Sequence, residues 1–186
     1  MRKNFGPQSW LYPMPVLIVS TYDENGVPNA MNAAWSGIQD TNQLGVCIAP
    51  DHKTAKNLLA RRAFCVAVGD IRHVAACDYV GLVSGNEEKE KLAKAGFHTQ
   101  KSQFVDAPVI GELAMTLECK LLSYDETTGC AVGEIVNVSA DESVLDSDGK
   151  IDPVKLAPIT FDSVHHRYLA LGEVVGAAFR DGLKLK

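Results

Sequence analysis

The stretch from Asn25 to Leu59 constrains the fold most, because it carries a turn, two strands and the start of a helix in order. Asn25-Gly26 between strand-like runs is the strongest short-range signal of a β-hairpin. Strand-like runs at 29–36 and 43–49 follow, and an amphipathic run from about 55 to 61 predicts a short helix. Thr54 is the candidate N-cap, since its hydroxyl can accept from a free N–H of the first turn.

The connection before this helix is a candidate anion site. A helix N-terminus presents free N–H groups and the positive end of the helix dipole, and His52, Lys53 and Thr54 add three further donors. The same residues also suit an ordinary strand–loop–helix connection whose lysine points to solvent. Spacing alone leaves both interpretations open.

The rest of the chain predicts mainly β structure. From Leu113 to Tyr124 apolar and polar residues alternate, which indicates a half-buried strand, and the turn at 125–129 leads into a partner strand at 130–140. Further strands are expected at 16–21, 63–68, 159–161 and 168–171, and helices at 71–79, 86–95 and 172–179. We therefore expect one domain over residues 1–186, a β-barrel with a few peripheral helices.

Charge and hydropathy exclude two classes of partner. The net charge is −5 and the basic residues are scattered, whereas binding to nucleic acid needs a basic face. No apolar run approaches the ~20 residues of a membrane span, and no signal peptide is expected. We expect neither nucleic acid nor membrane as a partner.

The cysteine pattern argues against a disulfide framework or a metal site. The five cysteines are odd in number and include no C-x-x-C pair, which indicates a reduced, cytoplasmic compartment. Cys47, Cys65 and Cys119 lie in apolar strand-like runs and are expected in the core. We expect no bound metal.

No catalytic constellation is visible in the sequence. It contains no dinucleotide-binding glycine motif, no P-loop and no nucleophile motif. This fits an enzyme whose chemistry belongs to a cofactor, and it fits a protein that is not an enzyme equally well.

Two segments resemble the signatures of one known family. Asn29-Ala-Met-Asn-Ala-Ala-Trp35 and Ala49-Pro-Asp-His-Lys-Thr-Ala-Lys-Asn57 are similar to flavin-reductase-like, FMN-binding split-barrel proteins, and most similar to the flavoredoxin branch. Weaker matches such as 78–85, 91–96 and 168–173 occur in the same order along nearly the whole chain. The resemblance implies a split β-barrel with Greek-key-like connections, a homodimer, and FMN bound non-covalently near the dimer interface.

The resemblance also implies where the cofactor is bound. The isoalloxazine ring would lie along Asn32, Ala33, Ala34 and Trp35, although Trp35 is also a candidate core residue. The ribityl chain and phosphate would be held by Ala49, Pro50, Asp51, His52, Lys53, Thr54 and Asn57. A second element would comprise Ser84, Gly85 and Lys91, with Lys89 as the alternative because the spacing is one residue longer than expected.

The implied activity is oxidoreductase chemistry at flavin N5, with no catalytic side chain required. NADH or NADPH would deliver a hydride, and the flavin would pass electrons to free flavin, a redox protein or a metal centre. His165 and Tyr168 are the candidate substrate-binding residues, with His166 beside them. Two alternatives stay open: an FMN electron carrier that is reduced by another protein, and an interaction module that binds flavin weakly or not at all.

Overall fold

The computed structural model describes all residues from Met1 to Lys186. Twelve strands form: β1 (Met14–Pro15), β2 (Leu17–Tyr22), β3 (Pro28–Ala33), β4 (Ser36–Asp40), β5 (Gln43–Cys47), β6 (Ala63–Val68), β7 (Thr99–Lys101), β8 (Pro108–Ile110), β9 (Met115–Asp125), β10 (Cys130–Ala140), β11 (Ile159–Asp162) and β12 (Arg167–Ala170). The α-helices are α1 (Lys53–Arg61), α2 (Val74–Leu82), α3 (Lys91–Ala95) and α4 (Pro153–Leu156). No helix has the length and apolar character needed to cross a membrane.

A curled sheet of seven strands forms the body of the molecule. Its order is β3-β2-β6-β9-β10-β5-β4, and every neighbouring pair is antiparallel. Strands distant in sequence are therefore neighbours in the sheet, as β5 and β10 are. Small sheets of β1-β11-β12 and β7-β8 flank it. The mainly β, split-barrel fold with peripheral helices is confirmed.

The sheet is covered on both faces. On the concave face, Leu58 of α1 packs among Val19, Val46, Phe64 and other strand residues. On the opposite face, α2 and α3 pack against the outward residues of β2, β3 and β6. Leu17 and Val19 join the first cluster, and Val16 and Ile18 join the second, which explains why the run from Val16 to Val19 is apolar without alternation.

The helix boundaries differ from the sequence expectations. Helix α1 begins at Lys53, so Thr54 lies inside its first turn and is not the N-cap. Helix α2 begins three residues later than expected, because the Asp70 carboxylate accepts from the backbone N–H groups of Arg72 and His73 and holds a turn there. Only Lys91–Ala95 is helical within 86–95, and the last turn is a 3₁₀ helix at Asp181–Leu185 rather than at 172–179.

The first half of strand β9, from Met115 to Cys119, is covered on both faces, contrary to the expected half-burial. Thr116 and Glu118 are buried along with Cys119 and Leu121, because the segment around Ser102 covers the second face. Glu118 accepts from Ser102 Oγ, and from Asn137 Nδ2 at 2.6 Å. Periodicity alone does not reveal this covering segment.

The burial of the cysteines is as predicted at two of three positions. Cys65 and Cys119 are fully buried, but Cys47 is exposed. In β5 the side chains of Leu44 and Val46, followed by Ile48, point into the core, so Cys47 necessarily faces the other side of the sheet.

Candidate functional site

The candidate site is a groove along β3, made of two adjoining cavities that share Gly81 and Leu82 of α2. The first cavity, of about 150 Å³, is bordered by Asn29, Met31, His52, Lys53, Thr54, Val80, Val83, Ser84, Gly85 and Lys91. The second, of about 340 Å³, is bordered by Asn32, Ala34, Trp35, Asp78, Phe161, His166 and Tyr168. The first end is rich in donors and the second is flatter and more apolar.

The N-terminus of α1 opens into the first cavity with its donors free. The first helical hydrogen bond runs from Lys56 N to His52 O at 3.4 Å, and no side chain caps the helix. The N–H groups of Lys53, Thr54 and Ala55 therefore have no partner within the protein. No acidic residue occupies the first turn, so the positive end of the helix dipole is not neutralised there.

Thr54 is held so that its hydroxyl proton can serve a ligand. Asn29 Nδ2 donates to Thr54 Oγ1 at 2.9 Å in a fully buried pair. Since that bond uses the oxygen as an acceptor, the hydroxyl hydrogen remains available toward the cavity. Gly85 lies against this pair: a Cβ at position 85 would come within 2.1 Å of Asn29 Oδ1. A glycine is thus required for the loop after α2 to approach β3.

Lys91 is a buried cation without a counter-ion. Its side chain borders the first cavity, the residue is only 4% exposed, and no carboxylate lies within ion-pair distance. Burial lowers its pKa to about 8. A charge taken out of water without a partner is costly, so this position favours an anionic ligand.

Lys53 carries the second cationic group of this cavity. Its Nζ lies 3.1 Å from Asp23 Oδ2, in the turn between β2 and β3. Partial burial raises the pKa of Asp23, but hydrogen bonds from Val27 N–H, Lys53 and Asn25 N–H outweigh it and leave the pKa below its ordinary value. The Asp23 carboxylate therefore stays ionised and holds Lys53 at the rim.

The second cavity has a hydrogen-bonded polar edge. Tyr168 OH donates to Asp78 Oδ1 at 2.7 Å, and Asn32 Nδ2 donates to Cys77 O at 3.1 Å. Burial, followed by the hydrogen bond to Asp78, raises the pKa of Tyr168 well above its ordinary value. The hydroxyl is therefore kept protonated. No lysine or arginine borders this cavity.

Comparison with known proteins decides the family. Residues 9–161 match the model of the flavin reductase like domain, which is most of the chain. The chain belongs to the flavin reductase like family. Within it, the structure superposes on flavoredoxin of Desulfovibrio vulgaris (Miyazaki F) with a TM-score of 0.94 and 36% identity, covering 98% of this chain and all of that one. Flavoredoxin from Methanosarcina acetivorans gives a TM-score of 0.90 and 27% identity over the full length of both chains.

These matches place the chain in the flavoredoxin branch of the FMN-binding, flavin-reductase-like proteins. A protein of Aquifex aeolicus described as uncharacterized is 26% identical over 159 residues, 79% of each chain. As a member of this family, the chain is a flavoprotein of the oxidoreductase class.

Most of the residues proposed from the sequence meet in the groove of this flavin-reductase-like protein. They are Asn32, Ala34, Trp35, His52, Lys53, Thr54, Ser84, Gly85, Lys91 and Tyr168. Trp35, which the sequence left between core and site, is exposed at the groove. Of the two candidate lysines, Lys91 is the buried one, whereas Lys89 is exposed in a neighbouring cavity.

Three of the proposed residues have their side chains elsewhere. Ala33 points into the core, because neighbouring strand residues face opposite sides. Asn57 is buried, and its Nδ2 donates to Thr21 Oγ1 at 3.0 Å, away from the groove. His165 Nδ1 lies 2.9 Å from Asp162 Oδ2, while His166 borders the second cavity instead.

The segment before α1 also borders neither cavity with its side chains. Ala49, Pro50 and Asp51 are exposed and precede the helix, whose first residues form the cavity wall. Their role in binding the ribityl chain or the phosphate stays a prediction.

Sequence reasoning missed several groove residues. Asn29 and Asp78 had been assigned to no site, and Gly81, Leu82 and Phe161 carried no motif of their own. Asn29 offered one signal, since a fully buried amide in a strand needs a partner, and that partner is Thr54.

Proposed function

We propose that this chain binds one FMN per subunit, non-covalently, in the groove along β3. The phosphate is assigned to the end formed by the α1 N-terminus, Thr54, Lys53 and Lys91, and the isoalloxazine ring to the end bordered by Asn32, Ala34 and Trp35. The observation that carries this proposal is Lys91, a buried ammonium without a counter-ion, beside three unpaired helix N–H groups. A phosphate dianion would satisfy all of these donors at once.

The other end of the groove fits a flat heteroaromatic ring. Ala34 gives a small surface directly after β3, and Leu82 and Trp35 give apolar surface around it. Asn32 and the Tyr168–Asp78 pair supply polar groups at the edge. Bound FMN would supply the hydride and electron transfer chemistry. The chain itself would orient the ring, exclude water from one face and hold the Tyr168 proton on its oxygen.

For the reaction, we propose that reduced nicotinamide, NADH or NADPH, delivers electrons through FMN to an acceptor. Membership of the flavin-reductase-like family supports this. The second cavity adjoins the proposed ring position, so a nicotinamide or an acceptor could approach there, with Tyr168 and His166 at its border. His165 remains a prediction as a substrate-binding residue.

One observation favours the electron carrier as second candidate. The second cavity contains the Asp78 carboxylate and no lysine or arginine, so it offers no cation for the pyrophosphate of a dinucleotide. A carrier that receives electrons from a partner protein needs no such group. Similarity to flavoredoxins is compatible with both candidates.

Two measurements test these proposals in order. Titration of the apo-protein with FMN and with riboflavin compares two ligands that share the ring and differ in the phosphate. Two charge-assisted hydrogen bonds, at roughly 1.5–3 kcal/mol each, predict at least ~100-fold preference for FMN. Lys53→Ala should weaken FMN but not riboflavin, with Lys56→Ala on the solvent side of the same helix as control. Equal affinities for the two ligands in the wild type would rule out the phosphate site.

The second measurement separates reductase from carrier. The FMN-loaded protein is mixed anaerobically with NADH and, separately, with NADPH. If the protein is a reductase, at least one nucleotide should reduce the flavin and bleach its absorbance at least as fast as the protein turns over with an acceptor. If neither nucleotide reduces the flavin but dithionite does, the protein is a carrier. If no flavin binds at all, only the interaction module remains.

We also propose that the protein is a homodimer in solution. Phe5 and Tyr12 of the N-terminal arm are exposed, and the tail carries Val175 and Phe179 at 99% exposure. Surfaces of this kind are usually covered by a partner. Sedimentation at micromolar concentration should give twice the chain mass, and a monomer with FMN bound would contradict the proposal.

A further inference from the structure

Cys47 and Cys130 are direct neighbours on adjacent strands, on the side of the sheet that faces away from the core. In the antiparallel pairing of β5 and β10, Cys130 is the register partner of Cys47. The residues beside them, Val46 and Ala131, point into the core, so both thiols emerge on the opposite face. Eighty-two residues of chain separate the two cysteines in sequence, and no motif connects them.

The pair is of the type in which side chains approach most closely. Cys47 N–H donates at 2.9 Å to the carbonyl oxygen of Trp35, the residue before β4, and so points away from β10. The next pair along, Ile48 and Gly129, is joined by a backbone hydrogen bond of 2.7 Å. Since the two pair types alternate, Cys47 and Cys130 form a non-hydrogen-bonded pair, with Cα atoms about 4.5 Å apart in such ladders. That separation lies within the range of about 4.4–6.8 Å that disulfides span.

The surroundings of the pair distinguish it from the other cysteines. Cys47 is exposed and Cys130 is half-buried, whereas Cys65, Cys77 and Cys119 are buried. Both border an open cavity of about 600 Å³ that also contains Trp10 and Trp35. No cation in this cavity would stabilise a thiolate, because its border includes no lysine, arginine or histidine.

This environment lacks the cationic stabilisation of the reduced form that makes a disulfide a strong oxidant. Partial burial, and then the neighbouring Cys130 thiol to which it is hydrogen-bonded, raise the pKa of Cys47. Thiols with a high pKa are poor leaving groups, and strong disulfide oxidants are those whose reduced form is stabilised. A pair without such stabilisation should form a disulfide slowly at neutral pH and faster as pH rises.

We propose that Cys47 and Cys130 are a reversible dithiol–disulfide pair, a redox modification site on the face of the sheet that carries Trp35. The oxidant is a low-molecular-weight disulfide, RSSR. The exposed Cys47 thiolate attacks one sulfur and releases RS⁻, which leaves Cys47 in a mixed disulfide. The Cys130 thiolate then attacks the Cys47 sulfur and releases the second RS⁻. Two electrons pass from the protein thiols to RSSR, and the two protons end on the released thiols.

The cross-link should leave the fold intact and change two observables. It joins strands that are already neighbours, so the native backbone has no need to move. The cross-link closes a loop of more than eighty residues and so lowers the conformational entropy of the unfolded chain. This should raise the Tm by about 5–15 °C. The new disulfide also lies in the cavity that contains both tryptophans of the protein, so their fluorescence should fall.

The test is exposure of the folded, full-length protein to glutathione disulfide at pH 7 and pH 8.5. We expect a mass loss of about 2 Da, faster at the higher pH, and a non-reduced peptide map that joins Cys47 to Cys130 and leaves the other three cysteines free. Dithiothreitol should restore the original mass, Tm and fluorescence. These readouts need no flavin, so they are independent of the proposed function.

Two single variants separate this proposal from general thiol reactivity. Cys130→Ser should stop at the mixed disulfide on Cys47, a mass gain of one glutathione without the rise in Tm. Cys47→Ser should react more slowly, because Cys130 is less exposed. Absence of the mass loss in the wild type would overturn the proposal, and so would a disulfide-linked dimer or a bridge that involves one of the buried cysteines.

Discussion

The protonation of Lys91 should couple FMN binding to pH. In the free protein its pKa is lowered to about 8 by burial, and no carboxylate offsets this. A phosphate dianion in the first cavity would stabilise the ammonium and return its pKa toward the ordinary value near 10.4. Because the second phosphate pKa is near 6, the ligand stays dianionic from pH 7 upward. Above pH 8, binding of FMN must therefore take up a proton.

The size of the effect follows from the two pKa values. Below pH 8, Lys91 is already charged in the free protein, and this residue adds little pH dependence to FMN binding. Above pH 8, each further pH unit should weaken FMN binding by about tenfold, until the pH reaches the pKa of Lys91 in the FMN complex. Between pH 7 and pH 10 the loss should be about two orders of magnitude, on the order of 2.5 kcal/mol.

The free energy of unfolding of the apo-protein should change in the opposite direction. Between pH 8 and about 10.4 the unfolded chain binds more protons at Lys91 than the folded chain does, so folding stability rises with pH. The rise amounts to about 3 kcal/mol at most. It follows that Lys91→Met should stabilise the apo-protein at pH 7 and should also weaken FMN.

The assay is quenching of flavin fluorescence by apo-protein at pH 7, 8, 9 and 10, with FMN and riboflavin in parallel. Lys91→Arg keeps its charge throughout, so its FMN affinity should change little with pH. Lys91→Met should bind FMN more weakly at pH 7, and its FMN affinity should also change little with pH. Lys89→Met, on the exposed neighbour, is the matched control. An FMN affinity that stays constant from pH 7 to 10 in the wild type would refute the reasoning. So would a riboflavin affinity that falls with pH as steeply as the FMN affinity does.

Three further changes give sharp expectations. Thr54→Ala should weaken FMN by roughly 10-fold or more and cost about 1–2 kcal/mol of stability, because Asn29 Nδ2 loses its buried acceptor; titration and urea unfolding measure both. Gly85→Ala should displace Asn29 and weaken FMN in the same titration, whereas Gly172→Ala, in open space, should have no effect. Asp78→Asn keeps an acceptor for Tyr168 but removes the charge, so the pKa of Tyr168 should fall in a spectrophotometric titration, and an unchanged value would show that burial alone raises it.

Local sequence signals predicted most of the larger elements and the segment around Lys53 and Thr54 that borders the first cavity. Asn25-Gly26 forms a turn, with Gly26 at φ +79° and the Asp23 carboxylate accepting from Asn25 and Val27 N–H. The helix that follows begins at Lys53, two residues earlier than expected, but the strand expected at 29–36 ends at Ala33, and β4 at Ser36–Asp40 was not predicted. Such signals are readable because hairpin turns and helix starts depend on backbone preferences of neighbouring residues.

The direction in which a single side chain points was predictable only where the alternation of a strand determines it. The alternation along β3 would have placed Ala33 on the core face, whereas Ala34, the first residue after the strand, borders the groove. Asn57 and His165 could not be assigned in this way, because their partners Thr21 and Asp162 are defined by packing and turn geometry. The burial of Glu118 likewise depends on Ser102, which lies in another segment.

The sequence by itself determined the fold class and the family, and it singled out the segment around Lys53 and Thr54 that we propose to hold the phosphate. Only the tertiary structure decided that Lys91, 38 positions later, is buried beside them without a counter-ion, and that Cys47 meets Cys130 across two strands. The physical reason is the same in both cases. Turns and helix starts are specified by short-range preferences, whereas the burial of a charge and the register of distant strands depend on how separate segments pack together.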